Sequence, residues 1–368
     1  MPMPTPTPVA GARPARSRSA VFHPLTVAAV DRLCEDAAAI TFAVPDELRE
    51  VFAFEAGQSL TLRRFVDGRE ERRSYSICAP VGAAPRIGVR EIPGGLFSSW
   101  LVRDVVPGTR VEVQPPSGAW RADPAAGERH LCVAAGSGIT PLLSVASTVL
   151  THPRAQVSLL YGNRTSRTVM FTEELGDLKN RYGPRFQVLH VLSREPRDVE
   201  LLSGRLDGDR LHRLLTGLVP VEVFDHVWLC GPLGMVEQAR EVLAALGVPA
   251  GRVHVELFYV DAPPPRPRRA EKGLTGATTR LTTVLDGLRT TSAVSREETI
   301  LDGAQRSRPD LPFACRGGVC GTCRAMVREG QVDMRRNHAL EQTEVDAGFV
   351  LTCQSFPVGE AVTVDYDA

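Results

Sequence analysis

The chain has 368 residues, is 43% hydrophobic, and balances 43 Lys and Arg against 43 Asp and Glu. A formal net charge of zero excludes the basic excess that a nucleic-acid or anionic-membrane partner demands, so partners are recognised through local patches. The length suits two or three domains, and the lack of an apolar signal core or of any run of about 18 uncharged apolar residues predicts a cytoplasmic protein without a membrane span.

Residues 1–20, MPMPTPTPVAGARPARSRSA, have no hydrophobic periodicity and predict a disordered tail. Over 21–125, short runs such as Ser59–Phe65, Arg86–Arg90 and Arg110–Gln114, broken by Gly and Pro, predict an antiparallel β-barrel. One strand carries Arg73-Ser74-Tyr75-Ser76. An Arg there suits a bidentate clamp on a diphosphate, and a Tyr ring with a Ser hydroxyl suits a flavin; a core Tyr is the ordinary alternative. Gly94-Gly95-Leu96-Phe97-Ser98-Ser99-Trp100 then reads as a glycine turn entering a helix, whose free N–H groups form an anion site. The alternative is a plain capped helix with Phe97 and Trp100 in the core.

Residues 126–258 change texture. Strand-like runs at His130–Ala135, Val157–Gly162, Gln187–Ser193 and His226–Cys230 alternate with helical patterns at Pro141–Leu150 and Met235–Leu246. That alternation predicts a doubly wound α/β parallel sheet. The stretch AAGSGITP, ending at Pro141, leaves the first strand; Gly136 and Gly138 let backbone approach a phosphate, and the helix start adds its dipole, although it is not a full G-x-G-x-x-G and an ordinary strand-to-helix glycine turn is the alternative. Arg164, Ser193 and Arg194 follow the second and third strands with no acid to hold a bare ribose. The two arginines therefore suit a 2′-phosphate and NADPH, with solvated surface arginines as the rival reading. Cys230-Gly231-Pro232 ends the fourth strand, where a small thiol and glycine leave room for a nicotinamide ring.

Residues 259–275, including DAPPPRPRRAEK at Asp261–Lys272, predict an extended proline-rich linker that allows the C-terminal domain a modest swing. Residues 276–368 offer two strand-like runs, a short helix near Ile300–Gln305 and a cysteine loop. Cys315, Cys320 and Cys323 stand at C-x4-C-x2-C spacing with Cys353 far beyond, the ligand order of a plant-type [2Fe-2S] cluster. Gly317, Gly318 and Gly321 allow the tight turns such a loop needs. A zinc site, the alternative, would use two short C-x-x-C units, whereas Cys353 stands alone. Cys34, Cys78, Cys132 and Cys230 read as buried apolar thiols.

The stretches FHPLTVAAV, RRSYSIC, AAGSGITPLL, YGNRTS, ACRGGVCGTC and VLTCQSFP, in that order from about His23 to the chain end, resemble ferredoxin reductase-like flavoproteins with a fused C-terminal plant-type ferredoxin. Within that family they are most similar to the reductases serving ring 1,2-epoxidation of phenylacetyl-CoA. The resemblance implies an FAD barrel, an NADP-binding sheet and an α+β β-grasp ferredoxin domain. It places Arg73, Ser74, Tyr75, Ser76, Val89 and Arg90 at FAD, with Gly95, Phe97 and Ser98 at its diphosphate. Gly136, Gly138, Thr140, Pro141, Arg164, Ser193, Arg194, Gly231 and Pro232 fall to NADPH, with Glu256 and Phe258 closing the flavin pocket. Tyr75, Ser76, Thr140 and Cys230 are then the residues at the reacting rings. Arg replaces the commoner Lys at 90 and 316 with its charge kept.

The implied route runs from NADPH by hydride transfer to FAD, then by single electrons through the cluster to an external di-iron oxygenase acting on phenylacetyl-CoA. A flavin, stable in three redox states, resolves the mismatch between a two-electron donor and a one-electron cluster. The competing readings are a reductase for a Rieske-type or other aromatic-ring oxygenase or for a soluble ferredoxin, and a redox-regulatory subunit that does not turn over NADPH.

Overall fold

The computed structural model describes residues 21–118, 120–123, 128–258, 278–340 and 342–368. The expected tail (1–20) and linker (259–275) lie outside the described residues.

The first body is built from β1 (His23–Cys34), β2 (Ala37–Ala43), β3 (Ser59–Val66), β4 (Arg69–Ser76), β5 (Arg86–Arg90) and β6 (Arg110–Val113), with α1 (Leu96–Arg103) between β5 and β6. The strands pair antiparallel in the order β4-β3-β6-β1-β2-β5. An Ile77–Ile87 bridge joins the end of β4 to β5 and closes the edge pair, giving the expected barrel. Leu25, Ile40, Phe42, Leu60, Leu62 and Ile87 fill it, and α1 adds Phe97 and Leu101.

The second body runs β7 (Arg129–Ala135), α2 (Ile139–Val149), β8 (Gln156–Asn163), α3 (Thr172–Tyr182), β9 (Phe186–Leu192), α4 (Gly208–Gly217), β10 (His226–Cys230), α5 (Leu233–Ala245) and β11 (Val253–Glu256). All five strands are parallel, in the order β11-β10-β7-β8-β9. Side chains of β7 alternate between two cores: Leu131 and Val133 pack with Leu211 and Val236 of α4 and α5, while Cys132 and Ala134 pack with Leu142 and Leu175 of α2 and α3. Strand order reverses between β7 and β10. That switch point opens a crevice at the carboxyl ends of the strands, where such sheets take ligands.

The third body comprises β12 (Thr278–Leu285), β13 (Leu288–Ser295), α6 (Ile300–Gln305), β14 (Arg324–Met334), α7 (Gln342–Asp346), β15 (Phe349–Leu351) and β16 (Ser355–Asp365). Its mixed sheet, β13-β12-β16-β14-β15, pairs β12 with β16 in parallel, and Ile300, Leu301 and Ala304 of α6 pack into the same core. This is the expected β-grasp arrangement. Among the described residues no helix is long and apolar enough to cross a membrane.

Candidate functional site

The turn leaving β7 lies in the crevice. Gly136 adopts φ +56°, a left-handed conformation that favours glycine. Gly138 has a packing role as well. A Cβ there would lie 2.0 Å from the Cys230 carbonyl oxygen, so the missing side chain admits the end of β10. Thr140 is buried and donates to the Ser137 carbonyl at 3.0 Å. Its methyl and the Phe171 ring press on Gly88 of β5, where a Cβ would sit 2.5 and 2.6 Å from them. Barrel and sheet therefore meet at the strand that carries Val89 and Arg90. Pro141 falls in the first turn of α2, where its missing N–H costs nothing.

Across this junction the Ser76 hydroxyl, ending β4, donates to the Glu256 carboxyl, ending β11, at 3.2 Å. Burial pushes that carboxyl up to about 8, against a smaller lowering from the Ser76 hydrogen bond. Burial also drives the Cys230 thiol well above its ordinary value, with Glu256 adding to the effect, so Cys230 is an inert small group rather than a thiolate. Phe258 packs on the core cluster that contains Cys230. On the barrel side Tyr75 and Phe97 lie with ring centroids 6.1 Å apart. Gly95 leads into α1 with no side-chain cap, leaving the first-turn N–H groups open to an anion. A Cβ on Gly95 would meet Ser98 Oγ at 2.7 Å, and Ser98 Oγ in turn accepts from Ile92 N at 3.0 Å. Ser74 faces Thr61 across the strands at 2.9 Å, and Arg73 pairs with Glu71 at 2.9 Å. Aromatic faces, an open helix start and a partly buried Ser–carboxyl pair form a donor set that fits a flavin dinucleotide.

The nucleotide end departs from expectation. Ser193 N and Arg194 N donate to the carbonyls of Asn163 and Arg164, which zips the loops after β8 and β9 together. Yet two acids stand there. Asp36, from the β1–β2 turn, pairs with Arg164 at 2.6 Å and lies 3.6 Å from Arg90 Nε. Partial burial would raise its carboxyl, but the Arg90 charge and hydrogen bonds from Cys34 and Arg164 hold it below the usual range. Glu195 accepts from Ser166 N and Oγ at 2.7 and 2.9 Å. Arg90 also donates to the Thr168 carbonyl, pinning the barrel to the sheet. Cys78, Cys132 and Cys230 are buried as expected, but Cys34 is only half-buried and its thiol donates to Asp36 at 3.3 Å.

In the third body the four predicted ligands converge as two pairs. Cys320 stands beside Cys315, and Cys323 beside Cys353. Aided by backbone N–H groups, including Gly317 N at 3.3 Å, the Cys320 thiol holds Cys315 down to about 5; Cys323 lowers Cys353 likewise. Among the described residues no three His, Cys, Asp or Glu side chains converge on one ion. Four thiols brought together as two pairs would suit a binuclear iron–sulfur core. Gly318 and Gly321 take φ +80° and +68°. Gln354, which the spacing does not single out, is fully buried and donates to the Arg316 carbonyl at 2.8 Å while lying 3.5 Å from Cys353 Sγ.

Three families match in chain order: the oxidoreductase FAD-binding domain over residues 24–122, the oxidoreductase NAD-binding domain over 132–241, and the 2Fe-2S iron-sulfur cluster binding domain over 283–358. One subunit of the 1,2-phenylacetyl-CoA epoxidase of Escherichia coli (strain K12) is 42% identical over 94% of this chain and 98% of its own length. The ferredoxin reductase component of the 3-ketosteroid-9-alpha-monooxygenase of Rhodococcus rhodochrous is 33% identical, covering 96% and 98%. Among solved structures, phthalate dioxygenase reductase shares the fold, with a TM-score of 0.60 at 22% identity over 94% of this chain and 98% of that one.

Proposed function

We propose that this chain, which belongs to the ferredoxin reductase-like flavoproteins with a C-terminal [2Fe-2S] domain, is the cytoplasmic NADPH-dependent reductase component of a phenylacetyl-CoA epoxidase. It is an NAD(P)H-dependent flavin iron–sulfur oxidoreductase of an oxygenase system. The reductase chemistry rests on one juxtaposition: Ser76 of the barrel, Glu256 of the sheet and the Cys230 end of β10 meet at the switch point. The choice of oxygenase rests on the 42% identity to a phenylacetyl-CoA epoxidase subunit over almost the whole of both chains.

When bound, FAD takes up the two electrons of a hydride and the [2Fe-2S] cluster passes them on singly. The protein's own residues prepare that exchange. Gly138 and Cys230 keep the floor of the crevice low, so that a flat ring can enter beside Thr140. Glu256 favours its protonated form at neutral pH, and Ser76 Oγ ties that carboxyl to the barrel. Tyr75, Phe97 and the start of α1 hold the flavin, and Arg164 and Arg194 read the 2′-phosphate of NADPH. Cys315, Cys320, Cys323 and Cys353 would hold the cluster. The electrons leave to di-iron oxygenase subunits that carry the O2 and substrate chemistry.

Anaerobic titration with NADPH, followed by visible absorbance and EPR, tests the reductase reading: the flavin bleaches and a reduced-cluster signal grows. Mixing with purified phenylacetyl-CoA epoxidase oxygenase subunits tests the partner. Substrate-dependent NADPH oxidation is expected, and its absence, with turnover restored instead by a Rieske-type oxygenase, moves the chain to another oxygenase.

A further inference from the structure

Arg72 lies on β4 beside the flavin motif, but its side chain turns to other partners. Its side chain is only 3% exposed, an unusual state for an arginine unless its donors are met. Nε donates to Glu70 at 2.6 Å within the barrel. The other donors cross to the third body: Nη1 reaches the Leu311 carbonyl at 3.3 Å and Nη2 the Pro309 carbonyl at 3.5 Å. The guanidinium plane lies between two rings, 5.1 Å from the centroid of Phe22 in the barrel and 4.2 Å from that of Phe313. The stack continues at both ends. Arg63 lies 4.1 Å from Phe22, and Arg316, next to the ligand Cys315, lies 4.5 Å from Phe313 while pairing with Asp302 and Gln305 of α6.

This alternation of guanidinium and aromatic faces runs from the barrel wall to the loop that holds the cluster. Such contacts gain strength when desolvated, as Arg72 and Phe313 are. Alternation along the strand puts Arg72, Ser74 and Ser76 on one face of β4. Ser76 at the flavin cleft and Arg72 at the third body are thus separated by four residues of rigid strand, roughly 13 Å at the usual rise. A second contact supports the same seating: Val319, inside the cysteine loop, is 7% exposed and shares a core cluster with Met235 and Leu257 of the sheet body.

We propose that Arg72 is a positioning residue for electron transfer, clamping the cluster domain onto the barrel through Phe22, Phe313 and the 309 and 311 carbonyls, so that the cysteine loop is presented to the flavin cleft. The inference rests on the reading that electrons pass from flavin to cluster within this chain. Arg72 touches neither group; it sets the separation on which the rate depends steeply. A residue that only supports the barrel would affect both flavin reduction and cluster reduction, whereas a clamp affects the second alone.

The test is anaerobic stopped-flow reduction of the full chain by NADPH, in Arg72→Met and Arg72→Lys, with FAD and iron content measured first. Flavin bleaching is expected within twofold of wild type and cluster reduction at least tenfold slower in Arg72→Met. Arg72→Lys falls between, because a point charge does not span two carbonyls and two rings. Hydrogen exchange over residues 309–313 should rise in parallel. Should Arg72→Met fail to retain its cofactors, Phe22→Leu, which opens the stack while leaving the Arg72 hydrogen bonds in place, is expected to show the same split at about threefold. Cluster reduction at the wild-type rate, or equal slowing of both steps, overturns the clamp. Failure of NADPH to bleach the wild-type flavin overturns instead the reading on which it rests.

Discussion

The Ser76 hydroxyl donates to the Glu256 carboxyl at 3.2 Å, although the two residues lie 180 positions apart in the chain. Ser76 ends a barrel strand and Glu256 ends an edge strand of the parallel sheet. The bond therefore exists only when both bodies are folded and docked. It also holds the acid in a partly buried junction, where desolvation favours the protonated form.

That proton sets a pH dependence. Glu256 stands at about 8 in the folded chain against an ordinary 4.5, so between those values the folded state holds a proton that the unfolded state has lost. Its contribution to stability is complete below pH 4.5 and is lost as pH rises through 8. FAD-free protein should lose Tm between pH 7 and 8 and level off above that, and Glu256→Gln should flatten the fall. An unchanged slope in the variant would show that another group titrates.

Gly138→Ala should be one of the most damaging single-methyl additions in the sheet body. The new Cβ would lie 2.0 Å from the Cys230 carbonyl oxygen and 2.9 Å from Gly231 N, both backbone atoms that cannot swing aside. Overpacking of this kind costs roughly 1–3 kcal/mol or more. A lowered Tm is expected together with weakened nicotinamide binding, because the turn after β7 and the end of β10 must separate. Wild-type Tm in this variant would refute the contact.

Arg164→Ala and Arg194→Ala should each raise the KM for NADPH by roughly 10- to 100-fold, the worth of a charge-assisted phosphate contact, and that for NADH far less. Asp36→Asn tests the pairing the structure adds. Since Asp36 holds Arg164 at 2.6 Å in a half-exposed pair worth under about 1 kcal/mol, its removal should tighten NADPH only a few-fold. Equal losses for both nucleotides in the arginine variants would remove the 2′-phosphate assignment.

Much of this is legible in residue order, because strand ends, glycine turns and ligand spacing are local signals. The β10 strand lies at His226–Cys230 as expected, and α2 begins at Ile139, two residues before the expected Pro141, because a first turn accepts proline. Two hairpins carry a further signal of this local kind. Asp67-Gly68 and Asp286-Gly287 each take positive φ between paired strands, the two-residue turn such dipeptides favour. The roles of Asp36 and Arg72 are not legible at all. Their partners stand 128 and 239 positions away, and no spacing rule connects a barrel turn to a nucleotide loop or a barrel strand to a cysteine domain.

The amino ends of β7, β10 and β11 carry a histidine group, His130 buried and His226 and His254 partly so, that predicts acid sensitivity. Trp228 Nε1 donates to His130 Nδ1 at 3.2 Å, and His226 Nδ1 meets His254 Nε2 at 3.0 Å, with His254 stacked on Trp228 at 4.0 Å. Each bond needs an unprotonated ring nitrogen as acceptor. A proton on His130 Nδ1 would oppose the indole N–H, and a second proton between His226 and His254 would set donor against donor. Burial first, then the neighbouring His226, lowers His130 and His254 to about 4 from an ordinary 6.5. The Asp225 carboxylate, held low by the N–H groups of Glu128 and Arg129, raises His130 in return, against the larger effects of burial and His226. The unfolded chain thus binds protons that the folded chain refuses, so the contribution to stability is complete above pH 6.5 and is lost as pH falls through 4. Trp120 and Trp228, with centroids 5.0 Å apart, provide an intrinsic fluorescence reading of this region. Thermal unfolding followed by that fluorescence should show Tm falling from pH 7 to pH 5, with a shallower fall in His130→Phe. The same Tm at both pH values, or an undiminished slope in the variant, would place the acid sensitivity elsewhere in the chain.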